Sequence, residues 1–247
     1  MSLLLEIRQV TAGYGKGVDI LQDVSLEVSE SEVVGLIGLN GAGKSTLMKV
    51  ICGFVAPRAG RILFDGEDIT AAPSHTMVDR GVWLIPQESS LFPYLSVEDN
   101  LRLPMEHLRR RSGRPSKVEQ RARLGELCQR FPFLTGKLKS QAGDLSGGQQ
   151  KIVEFGKALL IQPRLCLIDE PSIGIAPNIA DQIYSLIEVF AERRTAIVLV
   201  DHNVRRVIGM AATTYVLTLG RVSARGGRHE FETSLHAHAR QWLGLPV

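Results

Sequence analysis

Short apolar or alternating runs recur through the first third of the chain, at Leu4 to Val10, Leu21 to Val28, Val33 to Ile37, Arg61 to Phe64 and Val82 to Pro86. Runs of this length, rich in β-branched residues and bounded by glycine and polar turns, predict strands. From about Glu88 to Asp144 the pattern turns helical, interrupted by Pro104, Pro115 and Pro132, and predicts an inserted helical region. Beyond it the strand Leu165 to Ile168, the helix Asn178 to Ala191 and the strand Ala196 to Val200 alternate as the units of a parallel sheet do. In that helix Ile179, Ile183, Leu186, Ile187 and Phe190 recur at three- and four-residue spacing, which predicts one buried stripe. From Gly226 onward the periodicity is weak and assigns no role. No internal repeat or low-complexity block interrupts the chain.

The strand Val33 to Ile37 runs into Gly38-Leu39-Asn40-Gly41-Ala42-Gly43-Lys44-Ser45-Thr46, and the apolar helix pattern Leu47, Met48, Val50, Ile51 follows. Strand, glycine-rich turn and helix in that order make a phosphate-binding loop. Its glycines let successive backbone N–H groups turn onto a β-phosphate, and the helix N-terminus adds positive potential. Lys44 is then a point charge for the β- and γ-phosphates, and the Ser45 hydroxyl can complete a Mg²⁺ shell.

Two further segments change meaning once a phosphate loop is present. Leu165 to Ile168 delivers adjacent carboxylates, Asp169 and Glu170, at the C-terminal end of a strand, the edge where open parallel sheets bind ligands. An Asp-Glu-Pro sequence is also an ordinary strand exit. Beside Lys44 it becomes the acidic counterpart of the phosphate site, with Asp169 holding metal through water and Glu170 orienting or deprotonating the attacking water. Leu145-Ser146-Gly147-Gly148-Gln149-Gln150 predicts a second helix start, capped by Ser146 and followed by an amphipathic run from Lys151 to Ile161. A small N-terminus of this kind can present hydroxyl and N–H groups to a γ-phosphate from the opposite side.

The ordered set resembles the nucleotide-binding subunit of ABC transporters, over about Leu4 to Arg221. The resemblance implies an α/β fold: a P-loop NTPase doubly wound sheet with an N-terminal antiparallel β part and an inserted helical subdomain. It implies one ATPase domain over 1–247, with a nucleotide-binding core at 1–87 and 149–225, the helical subdomain at 88–148 and a tail at 226–247. ATP and Mg²⁺ are the implied ligands, with Ser45, Gln87 and Asp169 toward the metal. Two such subunits pack head to tail, so Ser146, Gly147 and Gly148 of one chain meet ATP held by Lys44 of the other. Tyr14 matches the aromatic that stacks on adenine, Gln87 the glutamine linking metal site and membrane partner, and His202 the switch histidine at the γ-phosphate. Glu170, His202 and Gln87 are thus the implied catalytic set.

Two positions depart from the family pattern. Ala176 stands where an Asp usually closes the segment after the catalytic Glu, and Ser31 stands where a Gly usually precedes the acid Glu32. The stretch Glu170 to Pro177 and the segment from Ser89 through Phe92-Pro93 to Leu101 are similar to the ATPases of branched-chain amino-acid importers. The amide and urea importers and the lipopolysaccharide-export ATPases share much of that wording. The implied partners are membrane permease subunits, a second identical or paralogous ATPase subunit and a periplasmic substrate-binding protein. The implied location is peripheral, on the cytoplasmic face of the inner membrane.

Composition narrows this further. The 247 residues are 44% hydrophobic and 22% charged, enough for one large α/β unit. No run reaches the roughly 18 apolar residues of a membrane helix, so a membrane role is expected to come through a partner. Met1 to Leu5 is followed at once by Glu6 and Arg8 and reads as a first strand rather than a signal peptide. Cys52, Cys128 and Cys166 lack metal-ligand spacing and are expected to be reduced, packed thiols. A net charge of +3 does not point to nucleic acid. The cluster Arg109, Arg110, Arg111, Arg114, Lys117, Arg121, Arg123 has no interleaved aromatic, and fits a solvated helix face better than an anionic membrane.

Overall fold

The computed structural model describes residues 2–15, 17–107 and 115–231. In chain order the elements are β1 (Leu3–Ala12), β2 (Leu21–Ser29), β3 (Val33–Ile37), α1 (Lys44–Ile51), β4 (Ala59–Phe64), β5 (Glu67–Asp68), α2 (Met77–Arg80) and β6 (Val82–Ile85). Then come α3 (Val97–His107), α4 (Lys117–Arg130), α5 (Phe133–Lys137), α6 (Gly147–Ile161), β7 (Leu165–Asp169), α7 (Pro177–Glu192), β8 (Ala196–Val200), α8 (Val204–Met210), β9 (Thr213–Thr218) and β10 (Arg221–Gly227).

The strands form two sheets. One is antiparallel, in the order β2-β1-β4-β5; the other runs β10-β9-β3-β8-β7-β6 and is parallel except for β10. Every residue of β3, β7 and β8 is buried, as strands covered on both faces must be. Alternate side chains of the parallel strands enter two different apolar layers. Val33, Ile37, Cys166, Ile168, Ile197 and Leu199 face the helical layer of α3, α6 and α7. Val34, Leu36, Leu165, Leu167, Val198 and Val200 pack with α1 and the antiparallel sheet. The two-residue period of a strand makes the sheet the wall between these layers.

The predicted strands and helices are present: β1, β2, β4, β7 and α7 extend past their apolar runs, β3 and β8 match them, and β6 stops one residue short, at Ile85. The stripe on α7 is buried at Ile183, Leu186, Ile187 and Phe190, and Ile179 is half-buried. Three features differ from the pattern. First, β5, α2, α8, β9 and β10 occupy sequence that predicted no element, and Phe231, in the unassigned tail, is buried in the helical layer. Second, α6 is not amphipathic from Lys151 to Ile161: every residue there is buried. Third, of the basic cluster only Lys117, Arg121 and Arg123 lie among the described residues, on α4, and Arg123 donates to the Leu160 carbonyl at 2.6 Å instead of facing only solvent. The other four arginines and the tail beyond Phe231 lie outside the described residues.

Cys52 and Cys166 are buried and Cys128 half-buried, all as free thiols; burial pushes the Cys52 thiol up to about 12. Among the described residues no helix is long and apolar enough to cross a membrane.

Candidate functional site

β3, β8, β7 and β6 lie side by side and parallel, so their C-terminal ends share one edge of the sheet. Four loops leave that edge, carrying residues 38–43, 201–203, 170–176 and 86–90. Distant stretches of sequence thereby meet where open α/β sheets bind ligands. Asn40, Gly41, Gly43, Lys44, Ser45, Thr46, Gln87, Glu170 and His202 line one cleft of about 410 Å³, with Ile20 and Ile173 at its sides.

The loop after β3 needs its glycines. Gly43, which precedes α1, has φ 106°, and a Cβ there would stand 2.8 Å from Leu21 Cδ2. At Gly38 a Cβ would stand 2.2 Å from the Leu217 carbonyl oxygen, so only glycine passes beneath β9. Lys44 opens α1 and folds back: its Nζ donates to the carbonyls of Gly38 at 2.9 Å and Leu39 at 3.0 Å. Burial lowers the Lys44 pKa, against the opposing pull of Glu170 and then Asp169. α1 has no acidic residue in its first turn, so its N-terminal amides carry an uncompensated positive end toward the cleft.

Asp169 ends β7 and is buried. Burial is the main cause that raises its pKa, the Ser45 hydroxyl beside it pulls the other way, and Glu170 raises it further. Its Oδ1 has no hydrogen-bond partner. A buried acceptor without a donor calls for a partner, and next to a hydroxyl and a lysine it suits the water shell of a Mg²⁺ ion bound chiefly by phosphate. No group of three or more His, Cys, Asp or Glu able to hold a metal by itself occurs among the described residues.

Glu170 follows at φ 49°, a left-handed conformation rare for a residue with a side chain. Its N–H donates to Val200 O at 2.8 Å, and its Oε2 lies 3.1 Å from His202 Nε2. The His202 side chain remains 43% exposed, so the pair sits at the mouth of the cleft. Gln87 is exposed on the cleft wall, while its carbonyl and that of Pro86 accept from Lys151 Nζ at 3.1 and 2.9 Å. The other buried charges of α6 grip the same segment: Glu154 accepts from the Ser90 N–H, and Lys157 donates to Ser90 O and Oγ. The charges that predicted a polar face on α6 thus serve a loop.

Not every predicted site residue joins the cleft. Tyr14 is 49% exposed and does not line it; Lys49 of α1 stands 5.8 Å from its ring centre. Ser146, Gly147 and Gly148 also lie off the cleft, at the exposed start of α6, where Ser146 and Gln149 form a reciprocal capping box. Gly148 packs against Ile179, whereas a Cβ at Gly147 would meet nothing within 4 Å. Asp201 went unnoticed in the sequence: it is buried behind His202 and accepts two hydrogen bonds from Ser172. An acid placed directly after an apolar strand, as Asp169 is, was the available signal.

The family model described as ABC transporter matches residues 21–173. The high-affinity branched-chain amino acid transport ATP-binding protein BraG of Pseudomonas aeruginosa is 35% identical over 219 residues, 89% of this chain and 91% of its own. The lipopolysaccharide export system ATP-binding protein LptB of Escherichia coli K12 is 36% identical over 230 residues, 93% of this chain and 92% of its own. A solved ATP-binding subunit of an ABC transporter superposes with a TM-score of 0.82 at 30% identity, covering 98% of this chain and 94% of that one. The chain belongs to the ABC transporter family, as one of its ATP-hydrolysing subunits.

Proposed function

We propose that this chain energises a permease that imports branched-chain amino acids, or related amino acids and amides, from a place on the cytoplasmic face of the inner membrane. The observation that carries the ATPase part is the single cleft shared by Lys44, Glu170 and His202. ATP would enter with its phosphates over residues 40–46, taking the Lys44 ammonium from the Gly38 and Leu39 carbonyls that hold it now. Tyr14, exposed beyond α1, would stack on the adenine. Ser45, Gln87 and Asp169 would hold Mg²⁺, which offsets phosphate charge when bound.

Glu170 accepts a proton from the water that attacks the γ-phosphorus; the bond from that phosphorus to the β–γ bridging oxygen breaks, and ADP and inorganic phosphate leave. His202 steadies Glu170 and the γ-phosphate. Because Ser146, Gly147 and Gly148 lie off the chain's own cleft, they are free to close on ATP held by a second copy or a paralogue. Charge-assisted hydrogen bonds formed only while the γ-phosphate bridges both chains then supply the closing force.

The cargo reading is supported by the wording of Ser172 to Pro177, by that of Phe92-Pro93, and by the likeness to BraG. Permease subunits and a periplasmic binding protein would be its partners. A second reading, a lipopolysaccharide-type exporter, is favoured by the comparable likeness to LptB. Uptake of labelled leucine and of urea, in cells lacking this chain and in cells carrying it or its Glu170→Gln variant, separates the two. Uptake restored only by the unaltered chain supports import. Unchanged uptake with accumulation of an outer-membrane lipid precursor moves the protein to export.

A further inference from the structure

The loops leaving β7 and β8 are fastened together by a side chain outside the set assigned above. Asp201 is 4% exposed. Its Oδ1 accepts from Ser172 Oγ at 2.7 Å and from the Asn203 N–H at 2.9 Å, and its Oδ2 accepts from the Ser172 N–H at 3.1 Å. Ser172 lies two residues past Glu170, and Asp201 lies next to His202. One carboxylate therefore spans the two segments whose side chains meet at 3.1 Å.

The Glu170 turn needs such a hold. A left-handed φ on a residue with a side chain is strained and persists only where the surroundings over-determine it. The bond from Glu170 N–H to Val200 O fixes the entry of the turn, and Ile173 N–H donating to Glu170 O at 3.4 Å closes it on itself. Neither of these reaches past Val200 to the segment that carries His202. The two bonds from Ser172 to Asp201 do.

We propose that Asp201 is a positioning residue for ATP hydrolysis, holding the strained Glu170 turn in register with His202 through Ser172. The inference rests on the reading of Glu170 as the base. Asp201 does not line the cleft, so its loss acts on the chemical step and spares nucleotide binding.

The test uses the full chain, with ATP titrations that give kcat and KM separately and a thermal melt of each variant. Asp201→Asn sets an N–H donor against donors of Ser172 or Asn203 and loses at least one bond. A small misplacement of a catalytic group costs up to about 100-fold, so kcat is expected to fall about 10- to 100-fold with KM within about twofold. Ser172→Ala removes only the hydroxyl bond and should give a smaller fall. The double variant should be no worse than Asp201→Asn alone, because both changes break one linkage. Wild-type kcat in Asp201→Asn, a loss mirrored in KM, or additive losses would overturn the inference. Should Asp201→Asn fail to fold, an unchanged kcat in a stably folded Ser172→Ala would overturn it as well. Undiminished turnover in Glu170→Gln would remove both readings, whereas loss there beside wild-type kcat in Asp201→Asn removes only this one.

Discussion

Gly147→Asp tests whether the start of α6 works on another chain's nucleotide. Within its own chain the substitution is benign: a Cβ there meets nothing within 4 Å, and Gly147 is not among the residues of positive φ. The first turn of α6 has no acidic residue, so a carboxylate there gains about 0.3–1 kcal/mol from the helix dipole. For a chain of this size that raises Tm by at most about 4 °C. Across a closed pair the sign reverses. A carboxylate about 4 Å from a phosphate charge, at an effective dielectric constant near 20, is repelled by about 4 kcal/mol, or about 10³-fold in closure.

Gly148→Asp would be a poorer probe, since its Cβ would stand 3.0 Å from Ile179 Cγ2 and disturb the monomer too. The assays are ATP turnover, ATP binding by the monomer and the melt. Turnover should be lost with binding and Tm intact, and mixing with a Lys44→Ala chain should restore part of it, because a head-to-tail pair then has one site without either defect. Wild-type turnover in Gly147→Asp refutes the opposed-site geometry.

Lys44→Ala should weaken ATP binding and abolish turnover, since among the described residues no other lysine or arginine lines the cleft; an unchanged ATPase rate would end the phosphate-loop assignment. Glu170→Gln should slow hydrolysis by roughly 10²–10⁴-fold, the contribution of a positioned base, while ATP binds and an ATP-held dimer accumulates on size exclusion. A monomer turning over normally would exclude Glu170 as the base. Ser31 has φ 62° in the exposed turn between β2 and β3. Ser31→Gly relieves left-handed strain of about 1–2 kcal/mol but adds about 0.5–1 kcal/mol of glycine chain entropy and gives up a 3.3 Å bond to Arg194 O, so the effects nearly cancel and stability should change by less than about 1 kcal/mol; a Tm shift above about 4 °C would contradict this.

The family departure at Ser31 was visible in the sequence, but its meaning was not: the left-handed backbone explains why glycine suits the position, and no local pattern reports φ. The same holds at Glu170, whose role followed from its place after an apolar strand while its strained turn did not. β9 and β10 carry a weak apolar signal because Thr213, Thr214 and Thr218 flank the short run of β9, and Arg221, Ser223, Arg225, Gly226 and Gly227 leave only Val222 and Ala224 apolar in β10. β9 becomes a strand by pairing with β3 across most of the chain, and β10 by folding back on β9 through a tight turn.

What the sequence determined by itself are features written in short spans: the glycine turn that bends β3 into α1, Lys44 at its end, the acid pair closing β7, and the Ser146 cap of α6. Each depends on steric permission or hydrogen bonding among residues a few positions apart. Tertiary structure alone decided which of these meet. Adjacent parallel placement of β3, β8, β7 and β6 draws residues 40–46, 87, 170 and 202 to one edge and leaves Ser146 to Gly148 outside the cleft. It also turns the charges of α6 inward onto the loop after β6 and sets Asp201 beneath the Glu170 turn. Strand order arises from burying two apolar layers on either side of one sheet, a balance summed over the whole chain that no local pattern encodes.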